Sequence, residues 1–120
     1  MTKLTKHKKT DKIKESEVQK AILDWLRWHK IFCWKTNNTG IFKQKTGSYI
    51  KVGMKGIADL IGIIPPSGRL LAIEVKRPGN TASSEQKSFL ASIRASGGIG
   101  FIAFGIEDVE RELKQFIQSR

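Results

Sequence analysis

Residues 55–79 read KGIADLIGIIPPSGRLLAIEVKRPG, and the two apolar runs on either side of PPSG decide the fold. IADLIGII (57–64) and RLLAIEVK (69–76) are short and rich in branched aliphatics, so both are read as strands. Pro65 and Pro66 preset φ and Gly68 relaxes the turn, which makes the pair an antiparallel hairpin. With residues 65–68 as the turn, Ile64 meets Arg69 and Asp59 meets Glu74. Directly opposite side chains share one sheet face with Cβ atoms about 5 Å apart, where two like charges destabilise one another. A structural ion pair does not account for two facing acids. A divalent cation does, because it converts their repulsion into coordination, and hard Mg²⁺ takes one or two carboxylates together with water and phosphate oxygens. Lys76 lies two residues beyond Glu74 and so points to the same face. An ammonium there holds a phosphate oxygen, orients a water, or stabilises developing negative charge. An isolated acid-X-Lys at a strand end would be read as simple neutralisation; the facing Asp59 and the basic chain favour a site.

The elements around the hairpin follow from periodicity. SEVQ (16–19) has the form of a capping box with Ser16 at the N-cap and Gln19 at N3, and Val18, Ala21, Ile22, Trp25 and Leu26 continue at helical spacing, which predicts a helix over roughly 16–30. Glu17 opens that helix, either facing the sheet edge as part of the site or acting as a first-turn acid favoured by the helix dipole. IFCWKT (31–36) is a strand candidate, and 37–56 is a mobile loop or a ragged hairpin. SSEQ (83–86) repeats the capping-box pattern before a helix that stops at Gly97 and Gly98; Gln86 either points inward with Leu90 and Ile93 or closes the cap. IGFIAF (99–104) is a further strand, and Val109, Leu113, Phe116 and Ile117 share one face of a closing helix. The order α-β-β-β-α-β-α predicts an α/β fold, a mixed β-sheet flanked by helices.

The 120 residues make one domain, and 22 lysines and arginines against 11 acids leave a net charge of +11. Such an excess points to a polyanionic partner, most simply nucleic acid. No apolar run approaches the roughly 20 residues that span a bilayer, and no signal-peptide core follows the basic start, so no membrane partner and a cytoplasmic setting are expected. The single cysteine, Cys33, is read as a buried thiol in a reducing compartment. Residues 1–14 carry six lysines without apolar periodicity and read as a basic flexible arm, leaving 15–120 as the folded domain.

SEVQ, GMKGIADLIG, LAIEVKRPGN, SSEQKSFLASIRASGG and EDVERELKQF stand in the order and spacing seen in VRR-NUC domains, a branch of the PD-(D/E)XK nuclease superfamily with a restriction-endonuclease-like fold. The resemblance spans roughly 15–117. It departs at Ala58, where the family usually has proline before the metal-binding Asp. It implies a Mg²⁺ or Mn²⁺ ion held by Glu17, Asp59, Glu74 and the backbone carbonyl of Val75, with Lys76 as catalytic lysine and Gln86 organising the site. It further implies a structure-selective DNA endonuclease that acts as a homodimer on four-way (Holliday) junction or flap DNA, as in stand-alone phage and bacterial members. An archaeal-type junction resolvase or restriction-type nuclease shares the catalytic core but matches the flanking motifs less well. A non-catalytic DNA-binding protein would use the basic face alone.

Overall fold

The computed structural model describes residues 13–36, 40–43, 48–51 and 54–117. Residues 1–12 of the basic arm lie outside the described part, as do the side chains of Phe42, Tyr49 and Ile50, the groups of the 37–56 stretch that the sequence offers for a dimer contact because no periodicity assigns them inward. The element order is α1 (Glu15–Trp28), β1 (Phe32–Lys35), β2 (Gly40–Lys43), β3 (Ser48–Lys51), β4 (Leu60–Ile64), β5 (Arg69–Val75), α2 (Ser84–Ala95), β6 (Ile99–Ala103) and α3 (Ile106–Ile117).

The central hairpin has the expected register: Ile64 pairs with Arg69 and Leu60 with Ile73. The Gly68 amide donates to the Ile64 carbonyl at 2.8 Å, and Gly68 takes φ +81°, a conformation open to glycine without a Cβ penalty. β1 adds to β4 antiparallel, and β6 adds to β5 in parallel through the α2 crossover, giving a four-stranded mixed sheet in the order β1-β4-β5-β6. β2 and β3 form a separate antiparallel ladder, so the hairpin reading of that stretch is the correct one of the two.

Helices cover both faces of this sheet. α1 and α3 pack on one, through Ile22, Leu26, Val109 and Leu113 against Leu60, Ile64, Leu71, Ile73, Val75 and Ala103. α2 covers the other with Leu90, Phe89 and Ile93 over Ala58, Ile61 and Ala72. β5, in the middle of the sheet, is therefore apolar on both faces, which is why LLAIEV reads as a continuous hydrophobic run rather than an alternating one. Among the described residues Glu74 is the one buried charged side chain, 2% exposed. Its presence in that strand demands an explanation.

α1 begins earlier than SEVQ suggested. Its N-cap is Lys14, and the Glu17 carboxylate at N3 reaches back to accept the Lys14 amide at 3.1 Å, so Ser16 lies inside the first turn rather than at the cap. α2 is capped as expected: the Ser83 hydroxyl accepts the Gln86 amide at 3.1 Å and Gln86 Oε1 accepts the Ser83 amide at 2.8 Å. It ends in a Schellman turn, with the Gly98 amide donating to the Ile93 carbonyl at 2.8 Å and Gly97 at φ +94°.

Candidate active site

The site forms where β4 begins and β5 ends. Beyond the last paired rung, the Thr36 amide at the end of β1 donates to the Asp59 carbonyl at 2.9 Å and its hydroxyl donates to the Ala58 carbonyl at 2.7 Å, so the backbone carrying Asp59 is held from the β1 side. On the β5 side, Asp59 Oδ2 accepts the Val75 amide at 2.8 Å. The same end of β5 is tied to β6 by the Lys76 amide donating to the Ala103 carbonyl at 3.0 Å. These bonds fix the two strand ends relative to one another before any ligand arrives, which is what a positioned site requires.

Three charged side chains converge there. Lys76 Nζ stands 3.6 Å from Glu74 Oε2, with Lys76 15% exposed, and Glu74 also shares a hydrogen bond with Asp59. Glu74 Oε1 is buried with no hydrogen-bond partner. Burial pushes the Glu74 carboxyl up to about 8, and the neighbouring Asp59 charge adds to the rise against the opposing pull of Lys76. Asp59 is raised as well, chiefly by burial, with the Val75 amide and Lys76 acting in the opposite sense. Two acids whose environments penalise their charge, beside one lysine that only partly offsets it, form a centre of unmet negative potential.

The other residues expected in the site divide. Val75 lies between Glu74 and Lys76, with its amide committed to Asp59. Glu17 does not join the cluster: it is exposed and its carboxylate caps α1. The reason is helical phase. Glu17, Ala21, Asp24 and Trp28 form the solvent stripe of α1, whereas Glu15, Val18, Ile22 and Leu26 form the inward one. The acid that the helix turns toward the site is Glu15, whose charge raises Asp59 and whose Oε2 accepts Asn80 Nδ2 at 3.0 Å. Gln86 is likewise spent on its cap, with its Oε1 on the Ser83 amide. Sequence reasoning missed Glu15, Asn80 and Gln19, whose Oε1 is buried without a partner one helical turn after Glu15. The signal was present in the apolar stripe of α1 extended back by one turn, which arrives at Glu15 rather than Glu17.

The approach to Asp59 rests on Gly56. This residue is buried with φ +78°, and a Cβ there would stand 2.5 Å from the Glu85 carbonyl oxygen at the start of α2. Gly56→Ala is expected to lower stability by more than about 1 kcal/mol in urea unfolding, since both the backbone conformation and the close approach oppose a side chain. A neutral result would show that the segment leading to Asp59 has room to shift.

Among the described residues no helix is long and apolar enough to cross a membrane. No curated protein matches the sequence. The family model for the VRR-NUC domain matches residues 13–104, a span that contains Glu15, Asp59, Glu74 and Lys76. A solved structure described as a VRR_NUC domain protein superposes with a TM-score of 0.63 at 26% identity, covering 88% of this chain and 89% of that one. Match and superposition agree with the mixed sheet flanked by helices: the chain belongs to the VRR-NUC family of nuclease domains.

Proposed function

We propose that the protein is a divalent-metal-dependent, structure-selective DNA endonuclease whose active site is the cluster of Asp59, Glu74 and Lys76. The observation that carries this reading is the buried, unpartnered Glu74 Oε1 beside a second acid, an arrangement that is costly without a cation and suited to one. Among the described residues no three acidic, histidine or cysteine side chains form an all-protein metal cage. Mg²⁺ and Mn²⁺ need no such cage: they keep waters and take one or two carboxylates with substrate phosphate oxygens. Asp59, Glu74 and the Val75 carbonyl would hold the ion, with Glu15 rather than Glu17 supplying the charge from α1. When bound, the ion supplies Lewis acidity to the phosphate and a water of lowered pKa.

The chain's own groups do the rest. Asp59 is held through its Oδ2 by the Val75 amide, which restrains the orientation of its carboxylate. To hold the ion Glu74 would have to be in its ionised form, with its proton released to solvent, because a coordinating carboxylate is deprotonated. Lys76 has donors and no acceptor, so it stabilises the charge that builds on the non-bridging oxygens as the phosphodiester is attacked. The net charge of +11 supplies a field that draws in a polyanion without selecting its sequence. A branched substrate cut on two strands requires a second site, which a two-fold homodimer provides.

A cleavage panel of duplex, flap, splayed-arm and four-way junction DNA, run with Mg²⁺, Mn²⁺ or EDTA, tests the proposal. Cleavage of branched DNA with either metal and none in EDTA is expected. Binding without cleavage under every metal condition would favour a non-catalytic DNA-binding protein, and cleavage persisting in EDTA would remove the metal from the reaction.

A further inference from the structure

The sheet face that carries Asp59 continues outward onto β1. Opposite residues share a face, so three rows cross it: Thr36 with Asp59, Trp34 with Ile61 and Ala72, and Phe32 with Ile63 and Leu70. α2 covers the middle of this face but not its outer edge. Phe32 is 70% exposed and Trp34 39%, and their rings stand 5.3 Å apart at an interplanar angle of 52°. Strand geometry places the Cα of Trp34 about 8 Å from that of Asp59, on the diagonal of the ladder. Two aromatic rings are thus left partly or largely in solvent, Trp34 one row and Phe32 two rows away from Asp59.

The sequence around them is one-sided in charge. From Trp25 to Ala58 the sequence contains no acid and seven lysines and arginines, among them Lys30 and Lys35, which bracket β1 and are both exposed. Exposed aromatic faces among cations match nucleic-acid bases and their phosphates: every base has a π-face, and stacking on an aromatic ring is tolerant of sequence. A two-fold contact centred on this edge would set the exposed Lys30 and Lys35 against their own copies, which opposes a second copy as the occupant here.

We infer that Trp34, supported by Phe32, is a stacking platform for an unpaired or splayed base of the DNA substrate next to the phosphate cut at Asp59 and Glu74. The inference rests on the proposed endonuclease function and adds the feature of the substrate that is read, an unstacked base at a branch. In a continuous duplex each base is already stacked on its neighbours, so the platform rewards substrates in which a base is free at the cut.

The test is a cycle between ring and base. Once the cut position is mapped, Trp34→Ala and the wild type are compared on the cleaved substrate and on the same substrate with an abasic nucleotide beside the cut. Stacking predicts that Trp34→Ala lowers kcat/KM roughly five- to hundredfold on the intact strand, that the abasic change does the same to the wild type, and that the two losses do not add. Equal losses from Trp34→Ala on both substrates, or no loss on either, would overturn the inference. Phe32→Ala, at the more exposed position, and Trp34→Leu run the same cycle should Trp34→Ala fold poorly. Fluorescence of 2-aminopurine at that nucleotide, with Ca²⁺ in place of Mg²⁺, reads stacking without turnover and separates failure of the platform from failure of the nuclease assignment. A drop in sedimentation coefficient in Phe32→Ala or Trp34→Ala, with base discrimination unchanged, would assign the face to a protein contact instead.

Discussion

Alanine at Asp59, Glu74 or Lys76 is expected to lower single-turnover DNA cleavage by about a thousandfold or more while leaving DNA affinity within a few-fold of wild type. Affinity comes from phosphate contacts spread over a strongly basic chain, whereas the chemistry depends on charges at one point. Loss of folding does not explain the effect. Removing Glu74 relieves the burial that chiefly raises its carboxyl to about 8, together with its repulsion of Asp59, so the metal-free variant at position 74 should melt no lower than wild type near pH 8. Cleavage of a labelled four-way junction, gel shifts in Ca²⁺ and thermal melts measure the three quantities. Cleavage near wild type in any of the three variants would contradict the assignment.

The second large effect concerns pH. Glu74 has a native pKa raised from 4.5 to about 8, and Asp59 is raised in the same sense. A carboxyl whose folded pKa exceeds its unfolded value binds its proton more tightly in the native state, so its stabilisation is complete below the unfolded pKa and is lost as pH rises through the folded one. The metal-free protein should therefore lose stability between about pH 4.5 and about pH 8, with its melting temperature in EDTA falling by several degrees across that window. Glu74→Gln should flatten the decline and melt higher than wild type at pH 8. Mg²⁺ should restore the wild type at pH 8, since a ligand of the native state alone stabilises it by mass action. A flat profile in the wild type, or a decline unaltered in Glu74→Gln, would show that Glu74 is not held protonated.

What the sequence made legible depends on how local the determining interactions are. The register that places Asp59 beside Glu74 follows from the turn and the period-two pattern alone, and it is observed. Lys76 follows from the same periodicity. Glu17 is not the acid that α1 turns toward the cluster, because the orientation of each side chain depends on where α1 starts. SEVQ resembles a capping box, but the cap forms two residues earlier through Glu17 itself, and two residues on a helix rotate a side chain by about 200°. Glu15 therefore turns toward Asp59, and Glu17 turns to solvent. Gln86 shows the same ambiguity resolved in favour of local structure: the hydrogen bond that makes the capping box occupies the side chain. The exposed Phe32 and Trp34 pair was not legible, because IFCWKT has the composition of a buried strand and only the sheet order reveals β1 as its outer member.

On the proposed function the acid pair holds a divalent cation and α1 contributes through Glu15. Calorimetric titration of Mn²⁺ into metal-free protein at pH 7.5 tests it most directly, with wild type, Asp59→Asn, Glu74→Gln, Glu15→Gln and Glu17→Gln side by side. Binding should disappear in the first two variants, weaken in Glu15→Gln and remain at the wild-type value in Glu17→Gln. Undiminished Mn²⁺ binding in Asp59→Asn or Glu74→Gln would contradict the account.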